Sequence, residues 1–290
     1  KNPSTNTPSS FDEPILLNLN LSLMEKWEHE FMGPFVNGTA IEIEGVRGLV
    51  PLSSGEILIL GNGSVANEGV VIVVDGLTGF PTNSLYYPDF IDFYDGVELP
   101  NGEIALVGER FQSHEAIVLI IEPANYQSVA GMVFSDVRQF REVGLGNPGT
   151  NGGEYPLFMV GDLKNNPQAF NYMHKVDYAP GSGISLEYSR HLPVTATNFA
   201  DPHLSVTQLR NRIFYADSRV EPSAPTPSRD MFIGNFSLDF DPECVEDATS
   251  PYLGYAANPT VFNIRFRTKI NGPDQLAIPV TLPLPFTCSS

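Results

Sequence analysis

"LSSGEILILGNG" (residues 52–63) returns 47 positions later as "LPNGEIALVGER" (residues 99–110). Each copy opens with turn formers ahead of Gly-Glu, runs through aliphatic residues and closes on or near a glycine. That is the pattern of a hairpin turn feeding a strand. A hairpin written twice at a fixed distance points to a repeated architecture, and the units around these two copies define the fold.

The first full unit spans Val46 to Pro88, with strands expected at "GLVPLSS", "EILILG", "GVVIVVD" and, after a turn at "GLTG", near "SLYYP". From Tyr94 to Phe134 the same order returns as "GVELPNG", "EIALVGERF", "EAIVLIIEP" and "SVAGMVF". A third unit, Arg141 to Leu192, uses "NGGEYPLFMVGD", "FNYMHKVDY" and "ISLEYSRHL"; a fourth keeps three strands in "HLSVTQLRNRIFYADS" and "RDMFIGNFSLDFD". Gly61, Gly108 and Gly161 close equivalent second strands at spacings of 47 and 53. A period near 50 with four antiparallel strands predicts an all-β chain built as a β-propeller.

The two ends complement each other. Residues 14–31 match the third and fourth strands of a unit that lacks its first two, and residues 260–282 supply a strand, an Asn-Gly turn and a strand. Pairing the two half-units would close a ring of five blades and remove the exposed edges of an open sheet. Residues 14–290 then form one propeller domain. Residues 244–258 fit no strand template, and a sixth blade is the alternative they leave open.

Composition narrows the function classes. The 290 residues are 42% hydrophobic, enough for a large core, and carry 16 Lys plus Arg against 34 Asp plus Glu, a formal charge of −18. Such a surface repels phosphate backbones, which argues against a nucleic-acid partner. The longest clear apolar runs, "VVIVV" (70–74) and "AIVLII" (116–121), fall far short of the roughly 20 residues of a membrane helix. Residues 1–13 begin "KNPSTNTPSS" and read as a flexible tether, too polar to bury surface against the cost of ordering.

The unit "G(V/L)…LP.G.I.LVG…A.V.…D..G", with the Trp-bearing close "LSLMEKWEHEF", resembles the degenerate propeller repeats of exported and lipid-anchored envelope proteins of Gram-negative bacteria. In those repeats a third strand ending in Leu-Asp or Val-Asp leads through a turn to a Trp motif; Trp27, Asp75, Asp177 and Asp239 hold such places here. The resemblance implies an extracytoplasmic address, in the periplasm, on the outer-membrane surface or secreted, and a monomeric binding or scaffold module rather than a particular activity. With the tether, it also implies a disulfide between Cys244 and Cys288, worth about 4 kcal/mol in the loop-entropy model. Two unpaired thiols are the alternative.

Motifs of catalysis are sparse. The sequence contains no G-x-S-x-G, Walker loop, H-E-x-x-H or C-x-x-C, and "GNPGTNGGE" (146–154) reads as a long hairpin connection. The five histidines show no ligand spacing. Two constellations remain. In "PDFIDFYDG" (88–96), Asp89, Asp92 and Asp95 fall where one blade returns to the next, near the channel mouth; they read as a solvated acidic loop, with calcium binding as the sharper alternative. In "FADPHLSVTQLRNRIFYADS" (199–218), the "DP" motif resembles the inner strand of five-bladed glycoside hydrolases, which would make Asp201 a catalytic carboxylate; Glu142 and Asp95 are available second acids. The leading expectation is a protein or glycan ligand held without catalysis at the channel face by Asp89, Asp92, Asp95, Asp201 and His203, with hydrolysis as the alternative.

Overall fold

The computed structural model describes residues 15–19, 25–32, 35–36, 39–40, 43–63, 68–87, 91–147, 153–164, 171–191, 205–209, 212–221, 228–237, 252–256, 260–261 and 265–268; side-chain surroundings are described mainly between Gly45 and Arg190. Every element in these ranges is a strand. The chain opens with β1 (Ile15–Leu19) and β2 (Glu25–Met32), then a short ribbon of β3 (Phe35–Val36) and β4 (Thr39–Ala40). Two four-strand meanders follow: β5 (Ile43–Pro51), β6 (Glu56–Gly63), β7 (Glu68–Asp75) and β8 (Pro81–Tyr87), then β9 (Ile91–Glu98), β10 (Ile104–Arg110), β11 (Glu115–Ile121) and β12 (Ser128–Phe134). A third meander has β13 (Val137–Leu145), β14 (Tyr155–Leu163), β15 (Asn171–Ala179) and β16 (Gly183–His191), and a three-stranded sheet has β17 (Ser205–Leu209), β18 (Arg212–Glu221) and β19 (Ser228–Ser237).

The quoted repeat is a repeat of geometry. In both copies a three-residue turn closes the hairpin: Gly55 N–H donates to Leu52 O at 3.0 Å and Leu52 N–H to Glu56 O at 2.9 Å, while Gly102 N–H donates to Leu99 O at 2.8 Å and Leu99 N–H to Glu103 O at 2.7 Å. Gly55 and Gly102 stand at φ of 90° and 87°, where a side chain is strained. The closing glycines have a different cause. β5, β9 and β13 each carry a bulge, leaving Arg47, Tyr94 and Arg141 without a partner in the register opposite Gly61, Gly108 and Gly161. A Cβ at Gly108 would overlap the Asp92 carbonyl oxygen, and one at Gly161 the Gln139 carbonyl oxygen.

These bulges also move the unit boundaries. The first strands begin at Ile43, Ile91 and Val137, a few residues ahead of the Val46, Tyr94 and Arg141 expected from sequence, because the bulge interrupts the two-residue alternation that marks a strand.

The core lies between sheets. Alternate residues of β10 and β11 point to opposite faces: Ile104, Leu106, Ile117, Leu119 and Ile121 pack with Leu58, Leu60, Val71 and Val73 of the preceding sheet. Ala105, Val107, Ala116, Val118 and Ile120 pack with Leu157, Met159, Val176 and Tyr178 of the following one. Both faces are covered, which is why these strands read as unbroken apolar runs. His174 is fully buried at this second junction, its Nδ1 2.7 Å from Ser189 Oγ and its ring against Phe134 and Phe140.

The C-terminal part of the chain departs from the expected half-unit. β20 (Tyr252–Gly254) adds a fifth strand to β12, β21 (Thr260–Val261) adds one to β8, and β22 (Arg265–Thr268) pairs with β2. One stretch thus supplies outer strands to three sheets in the reverse of their chain order. The segment that fitted no template, 244–258, contains β20; strands this short lie below what periodicity can register. The 1–13 tether, Cys244 and Cys288 lie outside the described residues.

Candidate functional site

β5, β9 and β13 run side by side as the first strands of three successive sheets, and each turns its bulge residue out of the ladder. Arg47, Tyr94 and Arg141 stand 47 residues apart and form a row. The Arg47 guanidinium lies 5.6 Å from the centre of the Tyr94 ring, close enough for a cation–π contact. Burial pushes the Tyr94 phenol up, Asp92 and Glu109 add to the rise, and Arg47 and Arg141 oppose it.

Carboxylates hold these cations. Asp92, 7% exposed at its side chain, sits 3.7 Å from Arg47, which keeps 42% of its own side chain in solvent. Asp162 Oδ2 accepts from Arg141 Nε at 3.0 Å and from Gln139 Nε2 at 2.6 Å. Glu109, 3% exposed, lies 2.6 Å from His114 Nδ1 and 3.5 Å from Arg138. Asn62, Glu109 and Asp162 each follow a closing glycine, so one position of the repeat supplies this polar shell. Arginines fixed in this way lose less freedom when they engage a ligand.

The opposite end of the sheets has another character. Its turns, residues 52–56, 75–81, 98–104, 121–128 and 178–184, contain no Lys or Arg. Their acids cap local structure: Glu98 accepts from the Ser53 hydroxyl at 2.7 Å, Glu56 from Thr82 Oγ1 at 2.8 Å, and Asp75 from Thr78 N–H at 2.7 Å. A shallow groove of about 630 Å³ runs along Val129–Met132, Ser182–Ile184 and Gly254–Ala256, but no charged side chain lines it.

Between the inner strands β9 and β13 two acids meet. Asp95 Oδ2 accepts the Val143 N–H at 2.9 Å, and Glu142 hydrogen-bonds the Asp95 carboxyl. Burial, then the charge and hydrogen bond of Asp95, push Glu142 up to about 8. Burial raises Asp95 too, against the lowering effect of the Val143 and Gly96 N–H groups and of Glu142. Carboxyls in direct contact leave no room for the glycosidic bond that a hydrolytic pair holds between groups roughly 5 Å or more apart.

Of the residues singled out from sequence, Asp92 forms an ion pair with Arg47 and Asp95 faces the β9–β13 seam, so their carboxyls have separate partners. Asp89, Asp201 and His203 lie outside the described residues. Among the described residues no group of three or more His, Cys, Asp or Glu is arranged to hold a metal ion, and no helix is long and apolar enough to cross a membrane. The Arg47–Tyr94–Arg141 row escaped the sequence reading because the three residues match no catalytic or ligand motif; the constant 47-residue step was the available signal. The chain matches no protein-family model and no curated protein.

Proposed function

We propose that this chain is a five-bladed β-propeller, closed where β2 takes up β22, and that it works as a non-catalytic binding module of the bacterial cell envelope. Its ligand sits at the axial end where β5, β9 and β13 begin. The observation that carries this reading is the repeated bulge. A bulge interrupts ladder hydrogen bonds and re-aims a side chain, and here three of them offer different side chains from one frame. Support for closure comes from β22, which joins the last described strand of the chain to the second one. An envelope address follows from the sequence resemblance.

A neutral oligosaccharide suits this end best. The Tyr94 ring offers an apolar face, Arg47 and Arg138 are half exposed as donors, and the nearby carboxylates are acceptors. In the sequence, Asp201 and His203 precede β17 as residues 88–90 precede β9, and on the propeller reading they would contribute from another blade. A panel of neutral and acidic oligosaccharides, screened by array and titrated by calorimetry, tests the reading. Retention of a neutral sugar should fall at least tenfold in Tyr94→Ala and stay unchanged in Glu122→Ala at the opposite end. Sugar release abolished by Asp201→Asn would replace binding with hydrolysis, and a chain that retains nothing on the panel would remove the glycan assignment. Ring closure has its own test: a chain ending at residue 259 should lose its cooperative unfolding transition.

A further inference from the structure

Gly48, Asp95 and Glu142 hold one position in the three inner strands, and the β9–β13 seam is where two of them carry acids that touch. Two carboxyls hydrogen-bonded to each other need a proton between them; without it they are like charges in a half-buried seam. We propose that this contact is a proton-operated latch: one shared proton closes the β9–β13 seam, and its loss sets the two carboxylates against each other and loosens the axial end.

Among the described residues, the charged groups near the pair have partners of their own. On β5, Gly48 has no side chain and Arg47 turns to Asp92. On β13, Arg141 is bonded to Asp162 of β14 and Arg138 faces Glu109 of β10, which also holds His114. Arg110 of β10 and Lys164 pair with Glu115 of β11, and Tyr94 lies under Arg47. Glu56 and Asp75, on β6 and β7, belong to the turns at the other end. β17, which also packs on β13, reads "SVTQL" and contains no titratable residue.

The direction of the pH effect follows. Glu142 titrates at about 8 in the folded chain, above its ordinary value of 4.5, so between these limits the folded form holds a proton that the unfolded form has lost. The latch is fully closed below the unfolded value and opens as pH rises through the folded one. Within that window the folded-to-unfolded ratio falls by up to about tenfold per pH unit.

The latch makes no assumption about what the axial end binds, and its test uses no ligand. Urea unfolding of the full chain from pH 5 to 9 is compared with Glu142→Gln, which keeps a neutral donor beside Asp95. The wild-type profile should fall to about pH 8 relative to the variant and run parallel to it above. Carbon-13 NMR of the wild-type Glu142 carboxyl should give a midpoint near 8 that drops in Asp95→Asn. The NMR measurement stands even if a variant fails to fold. A Glu142 midpoint in the ordinary carboxylate range, or a pH profile that Glu142→Gln leaves unaltered, overturns the latch.

Discussion

At the β5–β9 seam a Cβ on Gly48 would stand 2.5 Å from the Tyr94 carbonyl oxygen, so the strands close by bare backbone contact. At the β9–β13 seam, 47 residues further on, the same position is Asp95, whose carboxyl spans the gap to Val143 N–H and meets Glu142. The backbone frame is nearly the same in both, with bulges at Arg47, Tyr94 and Arg141. One seam is closed by the absence of atoms and the other by a proton. The repeat therefore specifies strand, turn and bulge, and leaves the chemistry between blades free to vary.

Exchanging the two solutions should break the comparison most severely. Gly48→Asp forces a side chain against the Tyr94 carbonyl and adds a carboxylate with no N–H prepared for it. The expected loss is about 3 kcal/mol or more by urea denaturation. A loss under about 1 kcal/mol would mean that the first seam has slack. The converse change, Asp95→Ala, leaves the Val143 N–H without its acceptor and should cost about 1–3 kcal/mol. It also returns Glu142 toward its ordinary titration range, so the stability deficit should shrink as pH rises from 5 to 8.

Smaller effects sharpen the contrast between ends. Arg47→Met removes the half-exposed cation from a long, 3.7 Å ion pair with buried Asp92 and should cost about 1 kcal/mol. The same substitution should weaken oligosaccharide retention, separating a binding role from a structural one. At the periphery Asp177, raised to about 6 by burial and by its contact with Glu187, provides a second acid–acid contact for comparison. Glu187, itself exposed, also pairs with Lys175, and the site is half-buried. Because the folded value is raised, its contribution is lost as pH climbs from the ordinary carboxylate range through about 6. Asp177→Asn should flatten that portion of the profile by under about 1 kcal/mol.

Much of the frame was legible in advance because it rests on short-range rules. Gly-Glu turns at 55 and 102, apolar runs in β10 and β11, and the meander order of units three and four all follow from local periodicity. The closing glycines were visible as a spacing, but their reason lay across the strand, where Asp92 and Gln139 carbonyls occupy the space of a Cβ. Glu142 and Asp95 were visible only as two available acids. Their contact joins strands of different sheets, and no local pattern encodes which side of a bulged strand a carboxyl will take.

By itself, the sequence determined an all-β meander, its repeat length, its hairpin turns and a strong excess of acidic residues. These depend on backbone preferences, two-residue alternation and net charge, which act over a few residues or over the whole composition. Only the tertiary structure decided that Arg47, Tyr94 and Arg141 form a row, that β20, β21 and β22 serve three different sheets, and that Asp95 and Glu142 share a seam. The physical reason is that bulges shift side-chain direction by one residue and edge strands of two to four residues gain their stability from the partner they join. Both effects are set by neighbours distant in the chain, so they leave almost no periodic trace in the residues themselves.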